Sequence, residues 1–314
     1  MRELTVQAGD VLLAGAVWLP QRDAVATLLM HPGSGPSDRD NDVYFPPIRE
    51  HLLAAGIAVS SFDKRGVGGS TGQWQDAGIV EQADDLLACL AALLGDDAVP
   101  KPIGLFGHSQ GGWVVLDAAG RRPPIAFVVT NSGPGVTPAE QERYSHRSYL
   151  LAHGVPRGEL VEAQEPFDRL LEALRMGASF SEVREQLEPE RLPAVYRRLD
   201  LILLPDDEEL WSSFLRIFDY DPRWALERVS VPLLALFGED DPIVPVAESV
   251  SAYEETVRPE LLTVAILPGA NHRAQAGDPP ELVAGYLETL SSFVRRVSAA
   301  SSSSSGRPAR ARGA

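Results

Sequence analysis

Residues 103–119 read IGLFGHSQGGWVVLDAA and contain the pattern G-x-S-x-G. The apolar run at 103–106 is typical of a short buried strand, and residues 113–119 have the apolar spacing of a helix. The pentapeptide alone occurs often by chance, but a strand, a tight turn and a helix form the setting in which it presents a nucleophilic serine. We therefore predict that Ser109 is a nucleophile.

The residue types around Ser109 suit a sharp reversal of the chain. Such a turn forces the serine into a strained backbone conformation, so that its hydroxyl projects above the sheet. Gly107 and Gly111 lack the Cβ atoms that would clash at the reversal. A helix that begins directly after the serine also points free N–H groups at developing negative charge.

The rest of the chain alternates apolar runs with helical patterns, which is typical of the α/β class, with a mostly parallel central sheet and helices on both faces. The predicted strands lie at residues 3–8, 11–19, 26–30, 57–62, 103–106, 125–130, 233–237 and 262–267, and the predicted helices near 45–55, 79–94, 113–119, 246–257 and 280–297. The first two strands should form an antiparallel hairpin at one edge of the sheet.

This alternation stops between residues 137 and 228, which are rich in Glu and Arg, contain several prolines and show no clear strand. An all-helical segment inserted into a strand–helix series is expected to form a cap over one edge of the sheet. We therefore predict a core at 1–136 and 229–298 and a helical cap at 137–228. The serine-rich residues 299–314 are predicted to be a disordered tail.

A base must accept the serine proton, because a hydroxyl is a weak nucleophile near neutral pH. The chain has six histidines, at positions 31, 51, 108, 146, 153 and 272. Of the three that follow the serine, His146 and His153 lie in the predicted cap. His272 instead follows a late predicted strand, and loops at the carboxyl ends of parallel strands are where such sheets build active sites. We predict that His272 is the base and that His108 only packs beside the serine.

An acid should orient the imidazole and stabilise its protonated form. The sequence GEDDPIVP at 238–245 follows another predicted strand and offers Glu239, Asp240 and Asp241. Spacing alone does not separate the two adjacent aspartates.

Taken in order, GHSQGG, GEDDPIVP and PGANH resemble the α/β-hydrolase superfamily over roughly residues 1–297, though weakly across the predicted cap. The segments HPGSGPSDRDND at 31–42 and SFDKRGVGGSTG at 61–72 are similar to bacterial carboxylesterase-like members related to the prolyl-oligopeptidase, or serine aminopeptidase-like, branch. The resemblance implies the α/β-hydrolase fold with a helical cap insertion. It also implies that the acid is Asp241, which matches the family pattern G-x-x-D-x-x-V-P, with Asp240 as the alternative.

Two backbone N–H groups should stabilise the negative charge that acyl transfer places on the carbonyl oxygen. The residue after the nucleophile, Gln110, supplies one on this fold. By resemblance, the other comes from Ser34 in the loop after the third strand. Family members commonly carry His-Gly there, whereas this chain has His31-Pro32-Gly33, so Gly33 and Gly35 remain alternative donors.

The segment Asp63-Lys64-Arg65-Gly66 ends a predicted strand. Its charges are expected to connect that loop to its neighbours, which is a structural rather than a catalytic role.

The charge and composition of the chain limit the kinds of molecule that it is expected to bind. The formal net charge of −16 repels polyanions, so a nucleic-acid partner is not expected. No apolar stretch approaches the length of a membrane span, and no signal peptide is evident. The single cysteine excludes an intramolecular disulfide. A cytoplasmic location is therefore the default expectation. No metal-ligand spacing or phosphate-binding loop occurs, so no metal and no cofactor are predicted. A homo-oligomer is compatible with the sequence.

These observations predict a serine hydrolase that cleaves a small-molecule carboxylic ester or thioester through Ser109, Asp241 and His272. Two alternatives stay open at this point. One is a peptidase or amidase that acts on short peptides. The other is a member of the fold that binds or rearranges a small molecule without hydrolysis.

Overall fold

The computed structural model of the protein describes residues 1–201, 203 and 208–304. Its main sheet consists of β1 (Arg2–Ala8), β2 (Val11–Trp18), β3 (Thr27–His31), β4 (Ala58–Phe62), β5 (Ile103–His108), β6 (Val128–Asn131), β7 (Leu233–Gly238) and β8 (Leu262–Leu267). The strands lie in the order β1-β2-β4-β3-β5-β6-β7-β8. Strand β2 pairs antiparallel with β1 and β4, and all other neighbours pair in parallel. The predicted α/β fold with a mostly parallel sheet is therefore confirmed.

Helices flank the sheet and also fill the long connection between β6 and β7. They are α1 (Phe45–Ala54), α2 (Ile79–Leu94), α3 (Gln110–Gly120), α4 (Pro138–Ala152), α5 (Leu160–Arg175), α6 (Phe180–Gln186), α7 (Ala194–Leu199), α8 (Glu208–Ile217), α9 (Arg223–Leu226), α10 (Val246–Thr256) and α11 (Tyr286–Ser304). Short 3₁₀ turns occur at Trp74–Asp76, Arg157–Glu159 and Pro189–Arg191.

The two faces of the sheet bury separate apolar clusters. Leu105 of β5 packs with α2 and α3 on one face, and the next residue, Phe106, packs with α1 and α11 on the other. Successive side chains of a strand point to opposite faces, so a strand that is covered on both sides must be apolar throughout. This explains why the central strands read as continuous apolar runs.

The β6–β7 segment, which contains α4 to α9, has no strand among its described residues. It forms two apolar clusters of its own, one around Leu150 and Tyr196 and one around Phe167 and Trp211. Helices α4 and α5 pack against each other, and α8 contacts the 3₁₀ turn at Trp74–Asp76 of the sheet-bearing part.

The end of the chain differs from the sequence-based prediction. The last helix begins at Tyr286 rather than near residue 280, because Pro279 and Pro280 cannot supply helical N–H donors and Gly285 adopts a positive φ of 85°. Residues 275–282 instead form the short pair β9 (Gln275–Ala276) and β10 (Glu281–Leu282). Helix α11 continues to Ser304, so the predicted tail is helical over 299–304, and residues 305–314 lie outside the described residues.

No helix in the described part of the chain is long and apolar enough to cross a membrane.

Strand β5, which leads into the serine turn, depends on a close contact at Gly104. A Cβ at this position would overlap the ring of Phe127. We therefore expect Gly104→Ala to lower the free energy of unfolding by about 1–3 kcal/mol through overpacking. Gly158→Ala is the control, because a Cβ there meets nothing within 4 Å. Urea unfolding of both variants measures the difference, and equal stabilities would contradict the contact.

Candidate active site

The turn between β5 and α3 holds Ser109 in a conformation that L-residues rarely adopt. Its φ is 54° and its ψ is −124°. The Ser109 N–H donates to the carbonyl oxygen of Asn131 at 2.9 Å, and the Ser109 carbonyl accepts from the Gly112 N–H at 2.7 Å. Such strain persists only where the surroundings over-determine it. The side chain remains partly exposed, as a nucleophile requires.

Three glycines permit this turn because their neighbours come too close for a side chain. A Cβ at Gly107 would overlap the carbonyl of Gly111, and one at Gly112 would overlap the Cα of Gly133. A Cβ at Gly111 would lie 2.5 Å from the carbonyl oxygen of Pro32. The predicted strand–turn–helix arrangement is present, and glycine is needed on both sides of the serine.

Asp241 and His272 are in direct contact. His272 Nδ1 lies 2.8 Å from Asp241 Oδ2, and the aspartate side chain is fully buried. The other carboxylate oxygen accepts the N–H groups of Ile243 and Val244 at 2.8 and 2.9 Å. Because its second oxygen is held by the backbone, the carboxylate faces the imidazole in a fixed orientation.

The neighbouring acidic residues point elsewhere. Asp240 is exposed, and its backbone N–H donates to Ala270 O at 2.9 Å. Glu239 accepts the Gly269 N–H at 3.0 Å. Of the three carboxylates that the sequence offered, the structure brings Asp241 to His272.

The loop that carries the histidine is shaped by Asn271. Its Oδ1 accepts the N–H groups of Arg273 and Gln275 at 2.9 and 3.1 Å. The ring of His272 lies 5.1 Å from the ring of His108, the residue before Ser109. The histidine loop and the serine turn are therefore neighbours at the carboxyl edge of the sheet.

His108 itself is buried and engaged. Its Nδ1 lies 2.9 Å from Asn131 Nδ2, and that amide also donates to the Tyr44 hydroxyl at 3.0 Å. Burial, together with electrostatic interactions with His272 and Arg273, lowers the pKa of His108 well below its usual range. A neutral side chain with these contacts positions the turn, in line with the packing role predicted for it.

The loop after β3 lies beside the serine. A Cβ at Gly33 would be 3.5 Å from the Cβ of Ser109. The Gly33 N–H already points to Asn41 Oδ1 at 3.3 Å, which disfavours it as a donor to a bound carbonyl. Ser34 is exposed at the tip of the loop and Gly35 has a φ of 77°.

This arrangement can generate a nucleophile and stabilise an anion. A carboxylate-bound imidazole can accept a proton from a nearby hydroxyl, and the N-terminus of α3 presents N–H groups beside it. Within the described ranges, no group of three His, Cys, Asp or Glu side chains could hold a metal ion.

Sequence analysis did not find the contributions of Lys64, Tyr144 or Asn131. Lys64 Nζ donates to Gln110 Oε1 at 3.1 Å, and the Tyr144 hydroxyl donates to the Asp241 carbonyl at 2.9 Å. Lys64 carried a signal, since it belongs to the charged segment Asp63-Lys64-Arg65-Gly66 that follows β4. Tyr144 carried none, because its contact joins positions 97 residues apart.

Comparison with known proteins identifies the family of the chain. Residues 28–285 match the alpha/beta hydrolase family, and the chain belongs to that family. The chain is 28% identical over 226 residues to a bifunctional esterase/perhydrolase of Acinetobacter calcoaceticus, covering 66% of this chain and 72% of the relative. It is 29% identical over 244 residues to a putative carbamate hydrolase of Rhizobium rhizogenes, covering 76% and 84%.

Solved structures share the fold. Proline iminopeptidase of Mycobacterium smegmatis superposes with a TM-score of 0.62 at 19% identity, over 95% of this chain and 99% of that one. The ferulic-acid-bound Est1E of Butyrivibrio proteoclasticus gives a TM-score of 0.58 at 17% identity, over 93% and 96%. At these identities the likeness shows the architecture alone.

The hydrogen bond between His272 and Asp241 has a direct test. An N–H donated to a carboxylate forms a short, charge-assisted bond whose proton resonates far downfield. We expect such a proton NMR signal in the unmodified protein, its loss in Asp241→Asn and its persistence in Asp240→Asn. Loss of the signal in Asp240→Asn alone would contradict the observed pairing.

Proposed function

We propose that the protein is a serine hydrolase that cleaves a carboxylic ester or thioester through an acyl-enzyme on Ser109. The observation that carries the proposal is the strained turn that holds Ser109, together with the contact between the buried Asp241 and His272, whose imidazole ring lies 5.1 Å from the ring of His108 in that turn. The esterase and hydrolase names of the relatives support hydrolysis as the reaction class.

In the proposed first half-reaction, the Ser109 hydroxyl attacks the carbonyl carbon while His272 accepts the proton. Asp241 holds the imidazole and stabilises its positive charge. The carbonyl oxygen becomes an oxyanion that accepts the N–H groups of Gln110 and Ser34. The alcohol or thiol leaves with the proton from His272.

Water completes the second half-reaction. His272 takes a proton from the water, whose oxygen attacks the acyl carbon, and the serine oxygen departs and regains that proton. The carboxylic acid is released and the site returns to its starting state. No metal or cofactor takes part in these steps.

A fluorophosphonate probe tests the nucleophile. Only an activated serine reacts readily with such a probe, so we expect one labelled residue, Ser109, in the purified protein. Peptide mass spectrometry identifies the modified position. Ser109→Ala should abolish labelling without changing the melting temperature, and labelling that survives this substitution would falsify the assignment.

The two aspartates provide a matched kinetic pair. We expect Asp241→Asn to lower kcat by about 10⁴, since an amide supports the wrong tautomer and offers no charge to the imidazolium. Asp240→Asn should change kcat little, because Asp240 is exposed and does not contact His272. Hydrolysis of a p-nitrophenyl ester at saturation measures both variants.

Substrate class is decided by a panel of p-nitrophenyl esters, acyl-CoA thioesters and aminoacyl amides. The proposal predicts turnover of an ester or a thioester. Turnover confined to the amides would instead favour the peptidase alternative. Binding of a panel member without product would favour the non-hydrolytic one.

A further inference from the structure

A buried ammonium group lies behind the proposed oxyanion hole. Lys64 lies in the loop after β4, two residues beyond the last residue of that strand, and is only 8% exposed. Its Nζ donates to the carbonyl oxygen of Gly33, to that of Gly35 at 3.4 Å and to Gln110 Oε1 at 3.1 Å. An ammonium has three N–H donors and here meets three oxygen acceptors, so its hydrogen-bonding capacity is filled.

The contact with Gly33 has a consequence for Ser34. The carbonyl of one residue and the N–H of the next belong to the same planar peptide unit and point in opposite directions. An ammonium that binds the Gly33 oxygen therefore turns the Ser34 N–H away from itself. Donation to that oxygen also polarises the peptide, which makes the N–H a stronger donor.

The contact with Gln110 involves the residue that supplies the other proposed oxyanion donor. Lys64 binds the side chain of the residue whose backbone N–H would meet the oxyanion. Gln82 Nε2 also approaches Gln110 Oε1, at 3.5 Å, and Gln82 Oε1 lies 3.3 Å from His31 Nε2. One ammonium thus connects two segments that are 75 residues apart in the chain (35 to 110).

The charge of Lys64 is not neutralised by a carboxylate among the residues that the structure describes. Its neighbour Asp63 binds Arg39 at 2.8 Å, and Asp85 binds Arg65 at 2.6 Å. These pairs confirm the structural role expected of the Asp63 and Arg65 charges. The positive field of Lys64 is left to act on the peptide groups that it holds.

Burial affects the pKa values of both Lys64 and the neighbouring His31. Burial, followed by the charge of Lys64, lowers the pKa of His31 to about 3, so that this ring stays neutral. Burial also lowers the pKa of Lys64 to about 7. The adjoining cavity of about 30 Å³ has room for water.

We propose that Lys64 is the positioning residue of the oxyanion hole. By holding the carbonyls of Gly33 and Gly35 and the side chain of Gln110, it fixes both N–H donors and polarises the Gly33–Ser34 peptide. This inference rests on the proposed serine-hydrolase function. It assigns no contact between Lys64 and the substrate.

The test compares Lys64→Met with Lys101→Met. Lys101 is a matched control, because its Nζ also donates to three backbone carbonyls, those of Leu93, Asp96 and Val99, at 2.7–2.9 Å but away from the turn. We expect Lys64→Met to lower kcat for a p-nitrophenyl ester by about tenfold to a hundredfold, short of the loss of a whole donor. KM should change by less than about twofold, since the oxyanion forms only in the transition state.

A trifluoromethyl ketone adds a readout that a purely structural role would not move. It forms a tetrahedral adduct with the serine, so its inhibition constant should rise in parallel with the loss of kcat. Lys101→Met should leave kcat and the inhibition constant unchanged. The melting temperatures of both variants separate a loss of positioning from a loss of folding.

Should Lys64→Met fail to fold, Gln110→Leu removes one acceptor and keeps the backbone N–H. It should lower kcat by about three- to tenfold and weaken the ketone to the same extent. An unchanged kcat in a folded Lys64→Met variant would overturn the positioning role. If only Gln110→Leu folds, an unchanged kcat in that variant would do the same. In either case, continued labelling of Ser109 by the fluorophosphonate probe would leave the proposed function standing. Absence of labelling in the unmodified protein would remove both proposals together.

Discussion

The close contact of backbone with backbone at the β5–α3 turn is the constraint on which the site depends. Ser109 adopts a φ of 54°, and the chain folds back so tightly that Gly107 and Gly111 touch without side chains. The strain is offset by bonds on both sides, to Asn131 and from Gly112. Without this turn the serine hydroxyl would lie in the sheet rather than above it.

The parallel sheet then brings the partners of the serine to the same edge. Strands β5, β7 and β8 lie within four consecutive positions of the sheet, and their carboxyl ends carry the serine, the aspartate and the histidine. Strand β3, the other neighbour of β5, carries the loop of Ser34. Strand order therefore places the loops that carry these residues at the same edge of the sheet, although the residues are far apart in the chain.

Sequence reasoning found what is encoded locally. The strand–turn–helix pattern around Ser109 and the loops that bear Asp241 and His272 could be read from short segments, because each follows an apolar strand. It failed where the outcome depends on contacts distant in the chain. Asn131 and Tyr144 contribute through hydrogen bonds to residues distant in the chain, and the sequence around each of them gives no sign of these contacts. The last helix was placed too early because its apolar spacing outweighed Pro279 and Pro280.

The titratable side chains around the serine turn differ in charge: two histidines are neutral, and a lysine ammonium lies beside the proposed donor loop. His108 in the serine turn and His31 at the start of the proposed donor loop are kept neutral by burial. In the proposed reaction, a neutral His108 beside His272 avoids repelling the positive charge that His272 gains when it accepts the serine proton. Lys64, which is buried, instead binds the Gly33 carbonyl and the Gln110 side chain, next to the peptide N–H groups that we propose as the oxyanion donors. In the proposed reaction, the ammonium of Lys64 therefore lies on the side of the Gly33–Ser34 peptide from which it can stabilise the oxyanion without moving.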